Sequence, residues 1–137
     1  MHVEEIASIA VDCGLKLHKD VGPGLLESAY ENMLMYLLEK RGLRVERQVT
    51  VPIRYEGLSI EQGFRADLIV EKQLLIELKS VERLLPIHRM QVVTYLRFLN
   101  LSVGLLMNFS SDQFKNGLSR IVNDHSDIAG STLRMHQ

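Results

Sequence analysis

The sequence predicts one α/β domain, and three observations carry that reading. Two amphipathic helical stretches come first, hydrophobic periodicity then switches to every second residue over 43–79, and a further helical stretch and a short apolar run follow over 86–109. The 137 residues are enough for one domain with a sizeable core and too few for two ordinary domains. Apolar and charged fractions of 46% and 24% are those of a soluble globular protein. Charges interrupt every apolar run before it reaches bilayer-spanning length. Residues 1–20 carry Glu4, Glu5 and Asp12 where a signal peptide would be basic and then apolar. One cysteine, Cys13, excludes an internal disulfide and a Cys-pair metal site. These readings predict a cytoplasmic protein with no membrane partner. A net charge of −1 excludes generic polyanion binding, so a basic footprint must be local. Lys40, Arg41, Arg44 and Arg47 form one candidate stretch, and Arg83, His88, Arg89 and Arg97 another. Either stretch alone reads as a solvated face.

The elements follow in order. Residues 3–20 form a helix with Ile6, Ala10, Cys13 and Leu17 on one stripe, and Gly22-Pro23-Gly24 breaks it. A second helix spans about 24–41, with Leu26, Tyr30, Met33 and Leu37 on its stripe and Gly42 as its stop. Leu43, Val45, Val49, Val51, Ile53 and Tyr55 then fall on alternate positions, the pattern of a half-buried strand. Pro52 within it predicts an edge position or a bulge. After a turn at Glu56-Gly57, a second strand places Phe64, Ala66, Leu68 and Val70 on one face and Arg65, Asp67 and Ile69 on the other. After Glu71-Lys72-Gln73, a third strand alternates Leu74, Ile76 and Leu78 with Leu75, Glu77 and Lys79. Pro86 suits the first turn of a helix over about 86–100. Val103 to Phe109 reads as a buried strand, parallel to the third across a crossover. Residues 114–123 are ambiguous between helix and strand. The domain is assigned to 1–123, and polar residues 124–137 to a flexible C-terminal tail.

A symmetric three-residue loop at 71–73 pairs Val70 with Leu74, Leu68 with Ile76, Asp67 with Glu77 and Ala66 with Leu78. The same register aligns the apolar faces. It sets two carboxylates opposite each other, an arrangement that destabilises unless something offsets it. A hard divalent cation would do so, and oxygen donors suit Mg²⁺ or Mn²⁺. Lys79, two residues beyond Glu77 on the same face, suits charge stabilisation at a phosphate. Taken alone, the triplet equally suits a surface salt-bridge cluster. Two further patterns accompany it. Glu27 lies in the first turn of the second helix, where the dipole favours a carboxylate. Gln91 and Tyr95 share a face of the third helix, with His88 one turn earlier.

Together these residues resemble a known family. Asp67 followed by Glu77-Leu78-Lys79 resembles the D…(D/E)xK signature of PD-(D/E)XK nucleases. Gly24 to Tyr30 matches the GxxExxY motif of a small group within that superfamily, and Gln91 to Tyr95 the QxxxY motif of its RecB-like branch. The resemblance spans about residues 5–122. Its one departure is Ala66, where the superfamily name carries proline. It implies a restriction-endonuclease-like core of helices, three-stranded antiparallel meander, crossover helix and further strand. It implies Asp67, Glu77 and the Leu78 carbonyl as metal ligands, with Glu27 binding directly or through water. It further implies Lys79 as the catalytic lysine and Gln91 and Tyr95 as substrate-positioning residues, with His88 on the same helix face. The implied activity is Mg²⁺- or Mn²⁺-dependent hydrolysis of phosphodiesters by metal-activated water; the resemblance implies no firm substrate. The favoured reading takes DNA before RNA as the nucleic-acid partner, with a homo-oligomer or a larger complex as candidate assemblies. The alternative is a non-catalytic nucleic-acid-binding or scaffold module that keeps the fold.

Overall fold

The computed structural model describes residues 1–123; residues 124–137, read above as a flexible tail, lie outside the described residues. Among these, four helices and five strands follow the order α1 (Val3–Val21), α2 (Glu27–Lys40), β1 (Val45–Tyr55), β2 (Leu58–Val70), β3 (Leu74–Lys79), α3 (Pro86–Leu99), β4 (Val103–Asn108), α4 (Phe114–Gly117) and β5 (Leu118–Val122). The sheet order is β1-β2-β3-β4-β5. Only β3 and β4 pair in parallel, joined through α3; the other neighbours are antiparallel. The ambiguous stretch 114–123 is therefore both things, one short helical turn and then an edge strand.

Helices α1 and α2 bury one sheet face, through Ile6, Ala10, Leu17, Tyr30, Leu34 and Leu38 against Leu68, Val70, Leu74, Ile76 and Leu78. α3 covers the other through Val92 and Leu96, over Ala66, Ile69, Leu75 and Leu106. Gly104 permits the close approach of α3, since a Cβ there would meet Val92 Cγ1 at 2.9 Å. Pro86 occupies the first turn of α3, as its fixed φ and missing N–H allow. α2 starts later than its hydrophobic stripe suggests, because Gly24 adopts φ 113° and Leu26 is an extended N-cap.

The strand reading holds at the hairpin bases and changes in the middle. Glu56 and Gly57 both have positive φ, as a two-residue hairpin turn requires. Pro52 lies on edge strand β1 where the register shifts between Val51 and Ile53. The β2–β3 ladder has the expected register at Val70↔Leu74 and Leu68↔Ile76, and stops there. The expected Ala66–Leu78 and Asp67–Glu77 ladder pairs do not form. Ala66 and Phe64 pack beneath α3 with Ile69, not with Leu68 and Val70. β1 changes sides likewise, Val45 packing toward α1 and α2 and Val49 toward α3. The physical reason lies between them. Gln48 has φ 51°, a left-handed residue that resets the pleat, and it falls across from Asp67, between the pairs Arg47↔Leu68 and Val49↔Ala66.

Candidate active site

The reset leaves a gap between β2 and β3 that side chains fill. Asp67 N–H donates to Glu77 Oε2 at 2.7 Å, and Leu78 N–H donates to Asp67 Oδ2 at 2.9 Å. Each carboxylate thus takes the place of a backbone acceptor on the facing strand, and each is fixed by a strand rather than a loop. β3 keeps its alternation, so Glu77 and Lys79 continue the face of Leu75 toward α3. A residue's N–H and C=O leave an extended strand on the same edge, so the Leu78 carbonyl faces the same gap as the Asp67 carboxylate.

Glu77 is only 3% exposed. Burial, and then the Asp67 charge, push its carboxyl up to about 8; the Asp67 N–H and Lys79 act in the opposite direction, and Glu31 adds a further push upward. Lys79, half-buried, is the parallel partner of Asn108 at the end of β4. Its carbonyl accepts from Phe109 N–H, which fixes the strand at the lysine. The chain beyond is held by Asn108, whose carboxamide accepts from Val81 N–H and donates to Val81 O.

The other expected residues are placed as follows. Glu27 is exposed at the rim, its Oε2 accepting from Ser80 N–H at 3.3 Å, one residue past Lys79. Ser80 Oγ also donates to Leu25 O, tying the entrance of α2 to the end of β3. Tyr30, the last residue of the GxxExxY pattern, is fully buried and structural. Its hydroxyl donates to Gly22 O and accepts from Leu25 N–H, and its ring stacks on Phe109 at 4.7 Å. Tyr95 stacks on Phe64 at 4.0 Å. Burial raises its phenol, and the nearby Glu77 and Asp67 charges raise it further, so the structure brings Tyr95 to the carboxylate pair. Gln91 is half-buried one turn earlier. His88 serves α3 itself, its Nδ1 accepting from Leu85 N–H at 2.9 Å. That bond puts the ring proton of a neutral imidazole on Nε2.

Glu31 and Gln48 were not found from the sequence, and Arg47 was read only as part of a basic stretch. Glu31, 4% exposed, accepts from Arg47 Nε through one oxygen and from Gln48 Nε2 through the other, at 2.6 Å. Gln48 Nε2 also donates to Asp67 Oδ1 at 3.1 Å. A chain of contacts therefore runs Arg47–Glu31–Gln48–Asp67–Glu77. Two signals bore on it. Glu27 and Glu31 are like charges four apart on one helix, which is destabilising without a partner. Arg47 occupies the apolar phase of its strand. Nothing in the sequence marks Gln48.

The donor set suits a hard cation. Among the described residues no group of three or more His, Cys, Asp or Glu side chains is arranged to hold a metal; the carboxylates that meet at the strand gap are Asp67 and Glu77. Mg²⁺ is commonly held by one or two carboxylates and keeps several waters. A buried carboxyl held near 8 beside a second carboxylate is a position that a divalent charge would relieve.

A five-stranded mixed sheet clad by helices, with a carboxylate pair and a lysine at the end of its central parallel strand, defines a nuclease-like α/β fold. The sequence profile of the PD-(D/E)XK nuclease superfamily matches residues 4–121, and the chain belongs to that superfamily. No curated protein matches the chain. No solved structure matches it either. Among the described residues no helix is long and apolar enough to cross a membrane.

Proposed function

We propose that this protein is a divalent-cation-dependent nuclease that hydrolyses phosphodiester bonds, with DNA as its substrate. The observation that carries the reading is the buried Glu77 carboxylate laid against Asp67, with Lys79 two residues on along the same face. Asp67, Glu77 and the Leu78 carbonyl would hold Mg²⁺ or Mn²⁺. A cation bound there supplies Lewis acidity and activation of water. Lys79 stabilises charge that develops on the phosphate, preorganised because β4 fixes its backbone. Glu27, tied to Ser80 N–H, contributes through water from the rim. Tyr95, held by its stack on Phe64, and Gln91 on the same face position the substrate, and His88 presents Nε2–H as a phosphate donor.

The test is incubation of labelled single- and double-stranded DNA and RNA with Mg²⁺ or Mn²⁺, beside Lys79→Ala. The expected result is metal-dependent cleavage of DNA that Lys79→Ala lowers by about 10²–10³. Equal cleavage by the variant would overturn the role of Lys79. Binding of nucleic acid with no cleavage under either metal would replace the enzyme with a binding module.

A further inference from the structure

We infer that Gln48 is a positioning residue for the cation site. The inference rests on the reading of Asp67 as a ligand, and it assigns a role that neither the motifs nor the fold class contains. Three observations converge on this side chain. First, Gln48 holds φ 51° in the middle of β1, a conformation rarely adopted by residues other than glycine and asparagine. Backbone of this kind persists where the surroundings over-determine it, and such residues cluster at functional sites. Second, its place in β1 is across from Asp67, where the pleat of both strands resets. Third, its single Nε2 donates to two carboxylates, Glu31 Oε1 at 2.6 Å and Asp67 Oδ1 at 3.1 Å.

The chemistry explains why a carboxamide serves here. A primary amide has two N–H donors and no charge. It can hold two carboxylates at once without neutralising either. Glu31 already has its cation in Arg47, so the partly buried Arg47–Glu31 pair is balanced and acts as a fixed anchor. Among the described residues, Asp67 receives the neutral amide and the Leu78 N–H. Neither donor brings a positive charge that would compete with a divalent ion. A lysine or arginine in place of Gln48 would reach Asp67 equally well and compete with the metal. The left-handed backbone is what turns the side chain of a strand residue inward toward α2. Removing an outer partner that orients a metal-binding carboxylate typically lowers affinity 10–100-fold.

The test compares the full chain as wild type, Gln48→Met, Asp67→Asn and the double variant, with Mn²⁺ as the probe. Affinity is read by calorimetric titration, and folding by thermal unfolding in chelator. Methionine keeps the length and removes both donors. Gln48→Met should weaken Mn²⁺ binding 10–100-fold and have little further effect once Asp67 is already Asn, because the two residues act through one carboxylate. Gln48→Asn guards against loss of folding. Asparagine tolerates left-handed backbone and retains an amide, but it is one methylene too short to span both carboxylates, so it should fold and still lose affinity. Wild-type affinity in both Gln48 variants overturns the inference. So does an equal loss in the presence and absence of the Asp67 carboxylate. If Mn²⁺ binding to wild type is itself indifferent to Asp67→Asn, the metal reading of the site fails. The cation role of Gln48 is then overturned with it, and the same cycle of unfolding temperatures in chelator separates the two failures: coupling with Asp67→Asn shows that Gln48 still orients this carboxylate, and additivity overturns that contact as well.

Discussion

Two halves of one hairpin behave in opposite ways. From Leu68 to Val70 on β2 and Leu74 to Ile76 on β3, the strands pair in regular register and every side chain is buried. One residue further on, at Asp67 and Glu77, the ladder ends and carboxylates take over as acceptors for backbone N–H groups. In the first half hydrophobic burial decides everything. In the second, the polar groups displace the ladder, and the pleat resets to accommodate them. The lesson is that a regular sheet supplies rigidity up to the candidate site and then yields to it, so that Asp67 and Glu77 are mounted on strands without being part of their pairing.

Adjacent residues of β3 should therefore respond to mutation with opposite signs. Ile76 is fully buried beneath α1 and α2. Ile76→Ala should destabilise the fold by about 2–5 kcal/mol, read by denaturant unfolding. Glu77→Gln should stabilise it in chelator. The folded-state carboxyl near 8 lies above its ordinary value of 4.5, so the native protein holds the proton more tightly than the unfolded chain. Stability contributed by that proton is complete below about pH 4.5 and is lost as pH rises toward about 8. At pH 8, Glu77→Gln should exceed wild type by up to about 4 kcal/mol, and the difference should vanish near pH 4. A wild type whose stability does not fall across this window would remove the electrostatic conflict from the account.

A smaller effect separates the carboxylate pair from the helix that faces it. Gln91 lies on α3, on the face shared with Tyr95, and not on either strand that borders the gap. Gln91→Ala should lower kcat/KM about 10-fold, on the order of 1.4 kcal/mol, with Mn²⁺ affinity unchanged in titration. Lost metal affinity would move Gln91 into the shell around the carboxylates and blur the division between the two regions.

The sequence was legible where burial governs. Period-two alternation and the loop at 71–73 gave the hairpin register at Val70↔Leu74, Pro86 gave the start of α3, and the apolar run from Val103 gave the parallel strand. The D…ExK triplet and Tyr95 were read from their resemblance to family motifs, and the structure sets Asp67 and Glu77 together across the gap between β2 and β3. The face of Ala66 and Phe64 was misread because alternation carries no mark of a pleat reset, and Gln48 is an unremarkable strand residue until its φ is known. Glu31 was hidden beside the Tyr30–Leu34–Leu38 stripe. Its neutralising partner is sixteen positions away on β1, a tertiary pairing that local periodicity does not encode. Asn108 was absorbed into an apolar strand although its carboxamide holds the chain that follows Lys79.

The central claim is that Asp67 and Glu77 form one cation-binding pair. Thermal unfolding of wild type and Asp67→Asn, in chelator and through a Mn²⁺ series at fixed ionic strength with Ca²⁺ for comparison, tests it most directly. Wild type should gain about 2.7 kcal/mol of stability when Mn²⁺ reaches ~100 times its dissociation constant. Asp67→Asn should be at least as stable as wild type in chelator and gain far less from the ion. Equal responses of the two proteins to Mn²⁺ would contradict the account.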